Sequence, residues 1–484
     1  MAIFSAIGTY IPKMRLDRKA MYKAVGWVNP AAFKPGFKAV ANWDEDSVTM
    51  AVAAARDLVK KTGQALDVKA VFFASTTTPF NERPGAGVVA AALDLPEKMR
   101  VADFTDSPNA LFQALFAAVD TVDAQGGSVL VVTGDMRMGK PGSPTDYIYG
   151  DAGAAVLVKA GGEGLEILGN HSISKDFMDH WRGEDERFDR AWEDRWIRDE
   201  AFSKFLIQGV GILLKQAGIE AGDVKFAAMP DLYARDLKRI TRRNGLDEQV
   251  IVPPLAGEIG YTGNPQPLLL IARATQGLAA GDAGLVMGFG YGIAGMAVRA
   301  TQGFNPDLFT GMQAQLDRGE TRLNYTRYAG LHGTMDVDKG IRGEVQAFTA
   351  LNMSFRKRRE ILALVGTRCT KCGTPQFPPQ RVCVNPKCRA VDKMEPYPFA
   401  DLQAKVFSFT EDNLAYTPNP PAIYALVDFD GGGRFWFDVT DTQPGRIRVG
   451  TRVEFAFRIR YLDKDRGLRG YFYKAIPVQG GKDA

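Results

Sequence analysis

Apolar residues recur at two periods along this chain, and the change between them divides it. Up to residue 300, short fully apolar runs alternate with segments of helical spacing. Beyond residue 400, apolar and polar residues alternate with a period of two. The stretch 101–135 (VADFTDSPNALFQALFAAVDTVDAQGGSVLVVTGD) contains both elements of the first kind. Ala110, Leu111, Ala114, Leu115, Ala118, Val119 and Val122 share one helical face. Phe112, Phe116 and Ala117 widen that face, so the spacing predicts a buried helix. Asp106 and Ser107 suit its N-cap, and Pro108 suits a first turn that needs no N–H donor there. Such a helix start gathers free N–H groups and positive dipole, which favours an oxyanion or a carboxylate. A Gly-Gly turn then leads into the apolar run SVLVV, a buried strand.

The same grammar extends on both sides. Residues 1–20 read as a strand and turn, and 22–42 as an irregular insertion or lid. Asn42 to Asp46 opens a helix with three acids at its start and lysines at its end, matching the dipole. Residues 68–75 form a buried strand, and GAGVVAAALDL a small-residue helix. An internal echo follows: GGSVLVVTGD corresponds to GDAGLVMGFG, and GDAGAAVLVKA to YGIAGMAVRA. Two copies of one helix–strand pattern predict a duplicated α/β fold with helices buried between sheets. Between the copies, 171–205 carries three tryptophans and dense mixed charge. It reads as a solvated helix pair with aromatic anchors, or as a lid or partner-facing segment. The last 80 or so residues, with a Gly-Gly-Gly hairpin and short even strands, predict a small all-β barrel.

Composition narrows the class. Apolar content of 45% with 24% charged residues is that of a globular protein. A net charge of +4, with both signs interspersed, argues against nucleic acid as a partner. No apolar run approaches the roughly 18 residues a membrane span needs, and no leader-like segment opens the chain, so the expected location is cytoplasmic. All four cysteines lie together: Cys369, Cys372, Cys383 and Cys388. Two close pairs at this separation are the spacing of a structural zinc ribbon. No thiol then remains elsewhere to act as a nucleophile.

The duplicated half-pattern, DEDSVTMAVAAARD, YGDAGAAVLV and GYTGNPQPLLL together resemble the thiolase superfamily. The branch is that of hydroxymethylglutaryl-CoA synthase and ketoacyl synthase III. The C-terminal part resembles the zinc ribbon plus OB fold found beside or fused to acyl-CoA enzymes. The resemblance implies a five-layered thiolase-type fold. Its halves are expected at 1–165 and 166–302, then a connector at 303–364, the ribbon at 365–397 and the OB barrel at 398–484. It also implies coenzyme A as substrate or carrier, one structural zinc, and a homodimer.

The family's chemistry uses a cysteine at a buried helix start, which here falls on Pro108 or Ser107. Its histidine falls on Ala228, its asparagine on Tyr261 with Asn264 close by, and its acid on Thr76. Covalent acyl transfer is thereby left without a thiol. Candidate catalytic groups are Tyr261, His180, Ser107, Asn109 and Asn264. Tyr261 can polarise a carbonyl or, with a lowered pKa, act as acid or base; the two asparagines can stabilise an oxyanion. His171, His332 and Tyr291 are weaker candidates. Phe80, Trp181 and Tyr149 are expected to contact substrate. The leading expectation is an enzyme acting on acyl-CoA, or on CoA with a β-keto or β-hydroxy acid. It would make or cleave a C–C bond by retro-Claisen transfer or retro-aldol chemistry, in catabolism of an aromatic or steroid side chain. Two alternatives are a non-catalytic acyl-CoA scaffold bridging a thiolase and a synthase, and a synthase-like condensation through Ser107.

Overall fold

The computed structural model describes residues 1–26, 35–63, 65–344 and 347–478. The chain divides into two compact units. The first comprises Met1–Ala41, Asp46–Val89 and Pro96–Ala329; the second comprises Asn42–Glu45, Ala90–Leu95 and Gly330–Ala484. The expected connector is thus shared between them.

The duplication is visible in strand order. In the first half the order is Ala2–Tyr10, Ala152–Ala160, Ser128–Asp135, Ala70–Ala74, Arg100–Phe104. In the second it is Leu165–Ser174, Gly292–Ala300, Ala283–Phe289, Val224–Ala228. The echoed segments take equivalent places. In both halves the pairing runs antiparallel, antiparallel, then parallel. The halves join where Ile3 and Phe4 pair with Glu166 and Leu165. Helices Ala110–Gln125 and Gln266–Ala274 lie in one core that draws on strands of both halves. Helices Ser47–Thr62 and Ser203–Ala217 pack on the two half-sheets, completing the layered thiolase-type architecture. Strands buried on both faces must be apolar throughout, which is why they read as runs and not as alternation.

Several local expectations are altered. The buried helix begins at Ala110, with Asn109 at its N-cap position and no side-chain cap; Ser107 instead accepts from the Asn109 N–H at 3.2 Å. Of the three acids before Ser47, only Asp46 caps the helix, in a box with Thr49. Asp44 and Glu45 serve the second unit, where Glu45 pairs with Arg458 at 2.8 Å and Asp44 with Lys474 at 3.0 Å. These four side chains are buried, so ion pairing outweighs the helix dipole. Helix Arg18–Val25 and strand Phe37–Val40 occupy the ends of the segment read as irregular, while 27–34 lie outside the described residues. The segment 171–205 is not a helix pair. It begins in strand Leu165–Ser174, forms a short hairpin of His180–Trp181 with Arg190–Ala191, and then enters the helical turns that precede Ser203.

In the second unit, strands Val365–Cys369, Pro375–Gln376 and Met394–Pro398 form the ribbon. Five antiparallel strands between Ala404 and Pro477 form the barrel, and Val439 bridges Ala475 to close it. Phe399 from the ribbon side packs on Phe429 of the barrel at 4.8 Å between ring centroids.

Candidate active site

Two cavities in the first unit share Pro108 and Tyr261. The larger, of about 130 Å³, is also lined by Arg137, Tyr149, His180, Trp192, Tyr233 and Phe289 among others. The smaller reaches Gln266, Met287 and Gly288. The residue at the buried helix start therefore faces both spaces, beside a tyrosine.

Tyr261 is placed by a close crossing of two loops. Its N–H donates to the Ile148 carbonyl at 2.7 Å, and the Gly150 N–H donates to its own carbonyl at 3.0 Å. A Cβ at Gly150 would lie 1.8 Å from the Ile259 carbonyl oxygen, so the crossing requires glycine. Tyr149 stands opposite Tyr261 across this bridge. Both phenols are buried, and burial raises both pKa values, overriding the nearby Arg137. The expectation of a lowered phenol pKa is thereby corrected: each is a neutral O–H donor at working pH. The Tyr261 hydroxyl bonds to no protein group among the described residues.

Arg137, which sequence reasoning missed, organises the cavity floor. Its Nε and Nη2 donate to Asp189 at 2.9 and 2.6 Å, and Nη2 donates to the Tyr149 hydroxyl at 2.9 Å. Its guanidinium lies 4.3 Å from the Tyr149 ring centroid. Burial alone would push Asp189 up, but Arg137 and Arg182 hold its carboxyl below the ordinary range. Replacing Arg137 by methionine leaves Asp189 with only the half-exposed Arg182 as ionic partner. We expect a loss of about 3 kcal/mol in denaturant unfolding, as for one member removed from a buried pair; an unchanged midpoint would refute it.

His180 lines the larger cavity from the hairpin. Its Nδ1 lies 2.7 Å from Asp179, whose other oxygen accepts from the Tyr291 N–H at 3.3 Å. The Tyr291 hydroxyl donates to the His180 carbonyl. A carboxylate on Nδ1 selects the tautomer that leaves Nε2 as acceptor.

The helix start is less open than its sequence implies. The Leu111 N–H donates to Asn264 Oδ1 at 2.9 Å, and the neighbouring N–H groups turn to Ser107 and Asn109 carbonyls. Asn264 Nδ2 donates to Asp135 at 3.0 Å, and Asn109 Nδ2 to the Gly290 carbonyl at 2.8 Å. Both asparagines thus have their amide donors engaged within the protein, and Asn109 presents an unpaired buried Oδ1. Asp135 gathers donors from Asn264, Ser75, Thr76 and Thr77, so Thr76 supports an acid rather than replacing one. Ser107 lines neither cavity, and no hydrogen bond joins it to His180 among the described residues. Phe80 stacks under Arg83 and Trp181 packs on Trp192; neither lines either of these two cavities. His171 lies on strand Leu165–Ser174 away from both cavities, and His332 belongs to the second unit. For Arg137 and Asp135 the sequence did carry a signal: charged residues at and just past the end of an apolar strand, in VVTGDMRMG.

In the second unit, the Sγ atoms of Cys369, Cys372, Cys383 and Cys388 all lie within 4.8 Å of one another. Cys372 to Cys383 is 3.5 Å and Cys369 to Cys388 is 3.9 Å. Four thiolates about 2.3 Å from a tetrahedral ion stand about 3.8 Å apart, so the donor set fits one metal ion in a closed site.

Residues 356–395 match the family model of the ChsH2 rubredoxin-like zinc ribbon domain, and 398–458 that of the ChsH2 C-terminal OB-fold domain. The chain is 25% identical over 290 residues to the hydroxymethylglutaryl-CoA synthase of Pyrococcus furiosus, covering 59% of this chain and 82% of that protein. The hydroxymethylglutaryl-CoA synthase of Methanopyrus kandleri is 26% identical over 295 residues, covering 59% and 83%. A crystal structure of HMG-CoA synthase complexed with CoA superposes with a TM-score of 0.61 at 18% identity, covering 72% of this chain and 94% of that one. The 3-oxoacyl-(acyl carrier protein) synthase III of Pseudomonas aeruginosa gives 0.57 at 22% identity, covering 63% and 99%. The first unit therefore has the thiolase-type fold of hydroxymethylglutaryl-CoA synthase and ketoacyl synthase III, on one chain with a zinc ribbon and an OB fold of the ChsH2 type.

Proposed function

We propose that the protein is a CoA-dependent acyltransferase or C–C lyase that works without a cysteine nucleophile. One observation carries the reading. Where relatives of this fold keep a thiol, Pro108 faces two cavities beside the unengaged hydroxyl of Tyr261. The thiol of a free CoA co-substrate supplies the missing nucleophile. His180 Nε2, oriented by Asp179, takes the thiol proton. The thiolate attacks the keto carbon of a β-keto acid or thioester, and the carbonyl oxygen becomes an oxyanion that accepts from Tyr261. Collapse re-forms the carbonyl and breaks the bond to the α carbon. The electron pair is left as an enolate, which takes its proton back from the imidazolium. Acyl-CoA and the shortened acid or thioester leave. The reverse sequence makes the same bond.

The aromatic lining of Tyr149, Tyr233, Trp192 and Phe289 supports a ring-bearing acyl group, as in catabolism of an aromatic or steroid side chain. The ion of the four-cysteine site is proposed to be zinc, held in a structural role. A cytoplasmic homodimer is the proposed state, and no described helix is long and apolar enough to cross a membrane.

The test is turnover. Purified protein with CoA and a panel of β-keto and β-hydroxy acids and thioesters is followed by mass spectrometry. Tight CoA binding with no product from any member would overturn the enzyme reading. In the active enzyme, His180→Gln should lower kcat about 10²- to 10⁴-fold, the usual contribution of a general base. A kcat retained in that variant would move the base elsewhere.

A further inference from the structure

Arg137 has a nitrogen left over. Nε and Nη2 are engaged by Asp189 and Tyr149, while Nη1 donates to no protein group among the described residues. The side chain is only 4% exposed, and what is open of it borders the larger cavity. Stacking on the Tyr149 ring and the two hydrogen bonds to one Asp189 oxygen fix the plane of the guanidinium. Its remaining N–H groups are therefore pre-aimed and not free to swing.

The carboxylates near Arg137 other than Asp189 are engaged elsewhere. Arg137 and Arg182 share one carboxylate, Asp189. Asp179 is committed to His180 and to the Tyr291 N–H. Asp135 is committed to the hydroxyl, amide and backbone donors around Asn264 and Thr76. Asp194, which also borders the cavity, accepts from the Tyr233 hydroxyl at 3.0 Å. None of these three forms an ion pair with Arg137, so Nη1 borders the cavity without an acceptor among the described residues. A planar guanidinium with open N–H groups matches a carboxylate, and a buried one is worth more than one in water.

We infer that Arg137 is a specificity-determining residue that binds a second carboxylate, carried on the acyl group of the substrate. The preferred substrates are then acyl-CoA thioesters of dicarboxylic acids, held with the reacting carbonyl near Tyr261 and the far carboxylate on Nη1. This inference rests on the CoA-dependent reading given above.

Calorimetric titration of the full-length protein with matched thioester pairs tests it. Succinyl-CoA is compared with butyryl-CoA, and glutaryl-CoA with pentanoyl-CoA, beside CoA alone. In at least one pair the dicarboxylic member should bind about 10- to 100-fold more tightly, the scale of one hydrogen bond to a charged group. The preference should shrink in Arg137→Lys, whose single ammonium cannot serve Asp189 and a ligand together. Equal affinity within each pair, with CoA itself bound, overturns this inference and leaves the CoA-dependent reading standing. Failure of CoA and every thioester to bind overturns both. A preference undiminished in Arg137→Lys removes the role from Arg137. Should the lysine variant not fold, the wild-type pairs decide alone.

Discussion

Tyr261→Phe should lower kcat about 10²- to 10³-fold while leaving KM within about threefold, the signature of a donor whose bond forms only as charge develops. The argument is geometric. The Tyr261 hydroxyl is buried, neutral and unengaged by any described residue, and Tyr261 lines both cavities together with Pro108. Removing it orphans no protein group, so the folded state should be nearly unaffected. This separates the variant from Arg137→Met, in which Asp189 and the Tyr149 hydroxyl lose a buried partner. Steady-state kinetics and thermal unfolding of the same preparation read out both. A kcat that survives the change sinks the oxyanion role; a parallel collapse of stability makes Tyr261 a structural residue.

Metal removal should have a comparably large effect on the other unit. Metal analysis should find about one zinc per chain, and chelation should abolish hydrogen-exchange protection across residues 365–398. Structural zinc sites contribute on the order of 10 kcal/mol to folding in small domains, because the four thiolates have no other partner that holds them together. Among the described residues the ribbon has only three short strands. Phe377 and Phe399, which it presents to Phe429, would lose their support and expose the edge of the barrel core. Cys372→Ser should reproduce the effect without chelator. Protection retained after complete removal of metal would show that aromatic packing, not the ion, holds the ribbon.

Much of this was legible beforehand, for identifiable reasons. The buried helix of 110–125, the strands on either side of it and the repeat in the second half were readable because burial on two faces leaves almost no polar residue. The metal site was readable because all four ligands come from one short stretch. The OB barrel was readable from its alternation. By contrast, the acids Asp44 and Glu45 were read locally as helix-dipole partners. Their true partners, Arg458 and Lys474, lie more than 400 residues away and carry no local mark. The segment holding the His180 hairpin stays open between a helix pair and a lid or partner-facing segment in the sequence, because its charged, aromatic residues have no clear period.

The amino-acid sequence by itself determined the layers, the duplication, the metal ligands and the absence of any thiol outside the ribbon. Those properties depend on periodicity, on local spacing and on residue identity. Only the tertiary structure decided which donors surround the helix start at Pro108. It brought Tyr261 and Tyr149 together across a loop crossing, and set Arg137 on Asp189 with one nitrogen to spare. It also closed the helix start with Asn264. Which donors remain unengaged depends on partners brought from distant segments, and no local pattern encodes that remainder. Around Pro108 that remainder is a phenol and a pair of guanidinium N–H groups without partners among the described residues, beside an imidazole held by Asp179.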